Sequence, residues 1–437
     1  MIAAMKSGSG KTAVTVGILG ALKAMGQNPC SFKCGPDYID PMFHRKAIGI
    51  PAGNLDTYFT DPDRTRELFE KEYSGSLAIL EGVMGLYDGV GGVESLGSSY
   101  DLATCLDAPI VLVVDAKGAG ISLMAQIKGF LDYDENKLIK GFILNKTPKA
   151  FGDKLGNRIE EELSIAYIGT VESNPDLDFD SRHLGLVTAD EIDDIRERID
   201  RAGQKMGDSL DMDRLLKLAG PLLEVQSPVK KEANNRARVA IARDKAFCFY
   251  YRENIELLEE MGLELISFSP LEDDKLPENI SGLILGGGYP ENFLKELSSN
   301  KSMLLDIKEK LTAGLPCLAE CGGFMYLMDE IEDKDGNGYE FCHVIPGKAS
   351  WKGRLQRFGY VNIRDKNGIE IKGHEFHYYD TDNNGKDCLA TKPMSDKSWS
   401  CIHERGNLFA GFPHLYYPSN PDFPLAFVER VMVYGKV

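Results

Sequence analysis

Residues 6–12 read Lys-Ser-Gly-Ser-Gly-Lys-Thr, between an apolar stub, Ile2–Ala4, and the amphipathic stretch 12–25. A small-residue loop closed by Gly-Lys-Thr at a strand-to-helix junction constrains the fold more than any other feature of the chain. Its backbone N–H groups turn inward to wrap an anion, and the following helix start adds a favourable dipole. Such a junction belongs to a parallel α/β sheet. Ser7, Gly8, Ser9 and Gly10 form the cradle, Lys11 supplies a cation, and Thr12 offers a hydroxyl to Mg2+. The standard G-x4-G-K-[ST] spacing is not met: Met5 stands where the first glycine belongs, in a shifted loop with Ala4 as the substitute. The segment also matches the deviant pattern K-G-G-x-G-K-T, with Lys6 as its signature lysine. The residues point to ATP with Mg2+.

Short apolar runs at Leu77–Glu81, Ile110–Asp115 and Gly141–Asn145 alternate with helical patterns such as 122–131, which extends the parallel sheet. Carboxylates at the C-terminal ends of such strands face the ligand crevice. Glu81 closes LAILE and opens the loop GVMGLYDG with Asp88; KCGPDYIDP places Lys33, Asp37 and Asp40 in a second loop. Thr12, Asp40 and Glu81 are the candidate metal ligands, and Lys33 a further cation for the nucleotide. Asn145, ending GFILN, reads equally as an adenine contact or as a strand-end turn residue.

The chain has 437 residues, enough for two or three domains, and a formal charge of −17. That excess argues against polynucleotide or anionic membrane as partner, but not against small anions held locally. The nine cysteines are scattered, and the C-x3-C pairs Cys30/Cys34 and Cys317/Cys321 lack a matching set for zinc. Neither a leader pattern nor a membrane-length apolar run is present, and a cytoplasmic protein is expected. After the charged, helical stretch 190–218, the run GPLLEVQSPVKKEANN marks a linker. We therefore divide the chain into 1–223, a linker 224–236, and 237–437. The second half opens as another α/β pattern and turns to short alternating strands after about residue 340. The terminal FPLAFVERVMVYGKV reads as a strand.

In that half, LPCLAECGGFMYL is strand, sharp turn, helix: an elbow that presents Cys321 at a helix start, a setting that favours thiolate. LGGGYPE and the elbow bring backbone N–H groups at Gly287, Gly288 and Gly322 to an oxyanion. Of seven histidines, His414 follows a strand-like run at a separation from Cys321 that suits a class I glutamine amidotransferase. His374 and His377, in GHEFHYY, read as structural or interface residues. KASWKGRLQR is a basic island, most simply a solvated strand edge.

SGSGKT, KCGPDYIDP, EGVMGLYDG, FSPLEDDKLPE, LILGGGYPE, AECGGFMYL and GHEFHY together resemble the cobyrinic/cobyric acid synthase family, and within it the a,c-diamide synthases. The resemblance implies a dethiobiotin synthetase-like P-loop domain followed by a class I glutamine amidotransferase-like α/β domain. It implies glutamine hydrolysis at Cys321 with His414 as base. It further implies ATP-dependent phosphorylation of a tetrapyrrole carboxylate, with Asp40, Glu81 and Asp88 as acidic residues of the synthetase, and amidation by the released ammonia. Many triad amidotransferases carry Glu two residues after the histidine; here that residue is Tyr416, so a Cys–His dyad is expected. Hydrogenobyrinic acid and nickel sirohydrochlorin stand as alternative substrates. A partitioning-type switch ATPase fits Lys6, but has no use for Cys321 with His414. Lys6 also points to a homodimer, because signature lysines act across interfaces.

Overall fold

The computed structural model describes residues 1–173, 175–177, 181–182, 185–186, 194–220 and 237–436. The chain forms two compact units, Met1–Pro228 and Val229–Val437. The expected linker 224–236 and His183 lie outside the described residues.

In the first unit seven strands form one sheet: β1 Ile2–Ala4, β2 Pro29–Cys34, β3 Ala52–Leu55, β4 Leu77–Glu81, β5 Ile110–Asp115, β6 Ile139–Asn145 and β7 Ala166–Val171. Their order is β3-β2-β4-β1-β5-β6-β7, and every pairing is parallel. β1 is only three residues long, yet it sits at the centre because it is buried throughout and bonded on both sides. The order reverses about it, so the ends of β1, β4 and β5 open the crevice where ligands of such sheets bind. Apolar clusters cover both sheet faces, one including Val16, Ile18 and Leu19, the other Leu123, Ile127 and Ile159.

Helix α1, Lys11–Ala24, is buried from Val14 to Leu22. It packs against the helix Ile195–Ser209, whose buried stripe is Ile199, Ala202, Gly203 and Met206. A Cβ on Gly203 would lie 2.7 Å from the carbonyl carbon of Gly20, so the two backbones meet directly. The charged 190–218 region is thus helical wherever it is described, with a break before the helix Met212–Leu218.

The second unit has a six-stranded sheet in the order Leu263–Phe268, Ala237–Ala242, Gly282–Leu285, Cys317–Glu320, Leu408–Gly411, His403–Arg405. Only the last, edge strand is antiparallel. The expected antiparallel flank includes a five-stranded sheet that contains Arg357–Arg364, Glu370–His377 and His414–Leu415. The terminal segment is the helix Asp422–Tyr434, not a strand. Phe423, Phe427, Val428 and Val431 are buried and recur at helical spacing, and this face packs onto the sheet.

Candidate active sites

In the first unit the loop after β1 turns through Gly8 and Gly10, at φ 76° and 85°. Gly10 precedes α1 without a side-chain cap, which leaves the helix start open to an anion. Two residues at the end of β6 fasten the loop. Asn145 Nδ2 donates to the Ser9 carbonyl at 2.8 Å, and Lys146 Nζ to the Gly8 carbonyl at 2.6 Å. A Cβ on Gly10 would lie 2.3 Å from Asn145 Nδ2, so the clamp requires glycine there. One N–H of the Asn145 amide thus holds the loop backbone, and Lys146 is a site residue the sequence reading missed. Its only signal was its place next to a strand-end asparagine. Inside the loop, Ser9 Oγ donates to the Lys6 carbonyl, while the Lys6 side chain is exposed. Burial, and then the charge of Lys33, lower the Lys11 ammonium to about 8.

Below the loop lies a buried charge cluster. Lys33 Nζ stands 2.5 Å from Asp40 Oδ2 and 2.8 Å from Glu81 Oε1. Thr12 Oγ1 donates to that same Glu81 oxygen at 2.6 Å. The structure therefore brings Thr12, Lys33, Asp40 and Glu81 together, with Lys33 committed to the two carboxylates. Asp37 Oδ1 accepts from the N–H groups of Ile39 and Asp40 and so starts the short helix Ile39–Phe43 that presents Asp40. Burial opposes charge throughout; even so, the two carboxylates hold Lys33 well above its ordinary value, and Lys33 with His44 holds Glu81 well below its own. Burial and the neighbouring Asp37 raise Asp40 despite Lys33. His44 was not singled out in the sequence. Its Nδ1 bonds Ser31 Oγ at 2.9 Å and its Nε2 faces Glu81 Oε2 at 3.6 Å; burial lowers it to about 4. Asp88 stands apart from the cluster, exposed, and accepts from Gly85 N–H at 3.0 Å to shape the loop after β4.

A hydroxyl and two carboxylates are hard oxygen donors of the kind Mg2+ takes, and Glu81 Oε2 is buried with no hydrogen-bond partner. Among the described residues no three His, Cys, Asp or Glu side chains converge into a cage of their own. This suits a cation that keeps most of its ligands from phosphate and water.

In the second unit Cys321 sits between the strand Cys317–Glu320 and the helix Gly322–Tyr326, at φ 48°, ψ −103°. Its N–H donates to the Gly411 carbonyl at 2.8 Å. The elbow is tightly packed: a Cβ on Gly323 would lie 2.1 Å from the Leu285 carbonyl oxygen. Burial, and then the charge of Glu291, push the Cys321 thiol up.

His414 arrives beside the elbow because Leu408–Gly411 pairs in parallel with Cys317–Glu320, register Glu320 with Gly411. A Cβ on Gly287 would lie 2.4 Å from His414 Cε1, and one on Gly322 3.4 Å from Gly288 N. The glycine loop, Cys321 and His414 are therefore packed at one point. On the other side His374 lies opposite His414 across the antiparallel pair, its ring stacked at 5.0 Å and 16°. His374 Nδ1 bonds Tyr251 OH at 3.2 Å, and the Tyr251 ring meets Tyr416 edge-on at 5.1 Å. Burial, then His374 and His377, hold His414 well below its ordinary value.

His377 bonds the buried Glu375 at 3.1 Å and stacks on Phe412 at 4.1 Å. GHEFHYY is thus more than structural or interfacial filling: its first histidine touches the candidate base. Only strand register reveals this. Of the basic island, Lys348 pairs with Glu332 and Arg357 Nε stands 3.6 Å from Glu375.

Two family models match the chain. One, for a CobQ/CobB/MinD/ParA nucleotide binding domain, covers residues 1–187; the other, for a CobB/CobQ-like glutamine amidotransferase domain, covers 238–421. The chain is 39% identical to the cobyrinate a,c-diamide synthase of Clostridium tetani, over 98% of this chain and 99% of the relative. Identity is 38% to that of Caldanaerobacter subterraneus subsp. tengcongensis, over 100% and 99%, and 40% to that of Clostridium acetobutylicum, over 97% and 98%. With two matched domains and full-length relatives at this identity, the chain belongs to the cobyrinate a,c-diamide synthase family.

Proposed function

We propose that this ATP- and glutamine-dependent ligase amidates the a and c carboxylates of cobyrinate, in the assembly of cobalamin. The observation that carries the reading is the pairing, in one chain, of a cysteine elbow with its histidine and a phosphate loop floored by Thr12, Lys33, Asp40 and Glu81. Cys321 is the nucleophile. As its sulfur attacks the glutamine amide carbon, His414 takes the thiol proton and passes it to the leaving nitrogen. Ammonia departs, and water then cleaves the glutamyl thioester. The N–H groups of Gly287, Gly288 and Gly322 hold the oxyanion. In place of a triad carboxylate, His374 orients His414 by stacking.

In the first unit the loop Ser7–Gly10, with Lys6 and Lys11, holds the ATP phosphates. A substrate carboxylate oxygen attacks the γ-phosphorus and ADP leaves; ammonia then attacks the acyl phosphate, and phosphate leaves with formation of the amide. Mg2+, when bound, neutralises charge on the phosphate oxygens, and Thr12 and Glu81 would hold it. Lys33 keeps Glu81 anionic and pairs with Asp40. Asp88 fixes the loop after β4 beside the substrate. We read the enzyme as cytoplasmic and, from the exposed Lys6, as a homodimer.

Mass spectrometry of products from ATP, Mg2+ and glutamine with cobyrinate, hydrogenobyrinate or nickel sirohydrochlorin tests the substrate. Two amides gained on cobyrinate are expected; none on it, with turnover of another, refutes the assignment. Cys321→Ala abolishes glutamine-dependent but not ammonia-dependent synthesis, whereas Lys11→Ala abolishes both.

A further inference from the structure

Beside the phosphate loop lies a cavity of about 790 Å3, shared by Lys6 and Ser9 of the loop, Tyr87 from the loop after β4, Lys117 after β5, and Phe130 and Tyr133 of the helix Leu123–Tyr133. Its wall is a preassembled aromatic cluster. Tyr87 is the hub, with ring centroids 4.8 Å from Tyr133, 4.9 Å from Tyr100 and 5.4 Å from Phe130, and its hydroxyl donates to the Phe130 carbonyl at 2.9 Å. Tyr133 nonetheless stays 68% exposed. An ordered aromatic shelf left open to water marks a binding surface more than a core. A Cβ on Gly129, in the lining, would meet no atom within 4 Å.

The charges around the shelf favour an anion. Lys6 and Lys117 are exposed. The acidic side chain in the lining, Asp115, is already paired with Lys146 at 3.2 Å. An aromatic-lined cavity flanked by two lysines, beside the phosphate loop, fits a large ring that bears peripheral carboxylates. A nucleotide base would leave most of the cavity empty. We infer that the tetrapyrrole lies against the Tyr87–Phe130–Tyr133 cluster, stacked on the exposed Tyr133 ring, with a carboxylate against Lys117 and one arm extended to the phosphate loop. This rests on the proposed substrate class.

The test is equilibrium binding of cobyrinate to the full chain, followed by its visible absorbance, for wild type, Tyr133→Ala, Tyr133→Phe and Lys117→Glu. Both substituted residues are exposed, and thermal unfolding verifies that each variant is folded. Tyr133→Ala and Lys117→Glu weaken binding about tenfold or more, the range set by loss of one ring-stacking contact, and Tyr133→Phe stays near wild type. Unchanged affinity in both, with a wild type that makes the diamide, overturns the shelf and leaves the function standing. Unchanged affinity with a shift in sedimentation of Tyr133→Ala assigns the groove to a second copy of the chain and also overturns it. A wild type that neither binds nor amidates cobyrinate overturns both readings.

Discussion

Replacing Lys33 by Met should cost the first unit more than any other single loss of charge near its site. The ammonium lies 2.5 and 2.8 Å from two carboxylates, and all three side chains are buried, at 5%, 6% and 0% exposure. Removing one member of a buried pair costs about 3–5 kcal/mol, because the remaining charge loses both its partner and its solvent. Here two carboxylates are left facing each other, with the Thr12 hydroxyl as a donor to Glu81. Asp40 already leans towards its protonated form, so proton uptake relieves part of the repulsion and places the cost near the lower end, about 3 kcal/mol. For a unit of this size that corresponds to a fall in Tm of about 6–12 °C. Calorimetry on the full chain reads this as a shift in the transition of the first unit, while the second holds. The double variant Lys33→Met/Asp40→Asn should recover about half the loss, because a single carboxylate then remains with Thr12. A fall below about 1 kcal/mol, or a double variant no better than the single, would falsify the view that Lys33 holds the two carboxylates together.

Three further outcomes are expected. His374→Ala should lower glutaminase kcat/KM by about 10–100-fold; because burial, His374 and His377 all depress His414, the acid limb lies below 6.5 in the wild type and moves upward in the variant, a shift that a purely structural defect would not produce. Asn145→Ala should raise KM for ATP about 5–10-fold, the worth of one buried hydrogen bond to the loop, with glutaminase activity unaltered; equal ATP affinity would show that the clamp is dispensable. Acid should destabilise the second unit: His374, lowered to about 3 by burial, binds its proton more readily unfolded, so stability is lost as pH falls from 6.5, by about 2 kcal/mol at pH 5 from this residue. A pH-independent transition between 6.5 and 5 would contradict its buried, neutral state.

The junctions that carry the chemistry are local in sequence, and for that reason they could be read there. The loop Ser7–Thr12, Glu81 at the end of β4 and the Cys321 elbow each combine an apolar run, small residues and a helix start within about a dozen positions. What could not be read depends on which strands lie side by side. Lys33 reads from its loop alone as a cation for the nucleotide; its closeness to Glu81 becomes visible only once β2 and β4 are paired. The stack of His374 on His414 requires the register of two strands forty residues apart in the chain. Lys146 holds a loop near the other end of its unit. The tail reads as a strand from its apolar content, and its helical stripe of Phe423, Phe427, Val428 and Val431 becomes legible only with the sheet it covers. The burial that pushes the Cys321 thiol up is a property of the whole unit, and its local motif does not carry it.

The hydrogen bond from Cys321 N–H to Gly411 has a mechanical consequence. Gly411 ends the strand that delivers His414 three residues later. Nucleophile and base therefore share one frame: the backbone of the elbow is bonded to the last residue of the strand that leads to the imidazole.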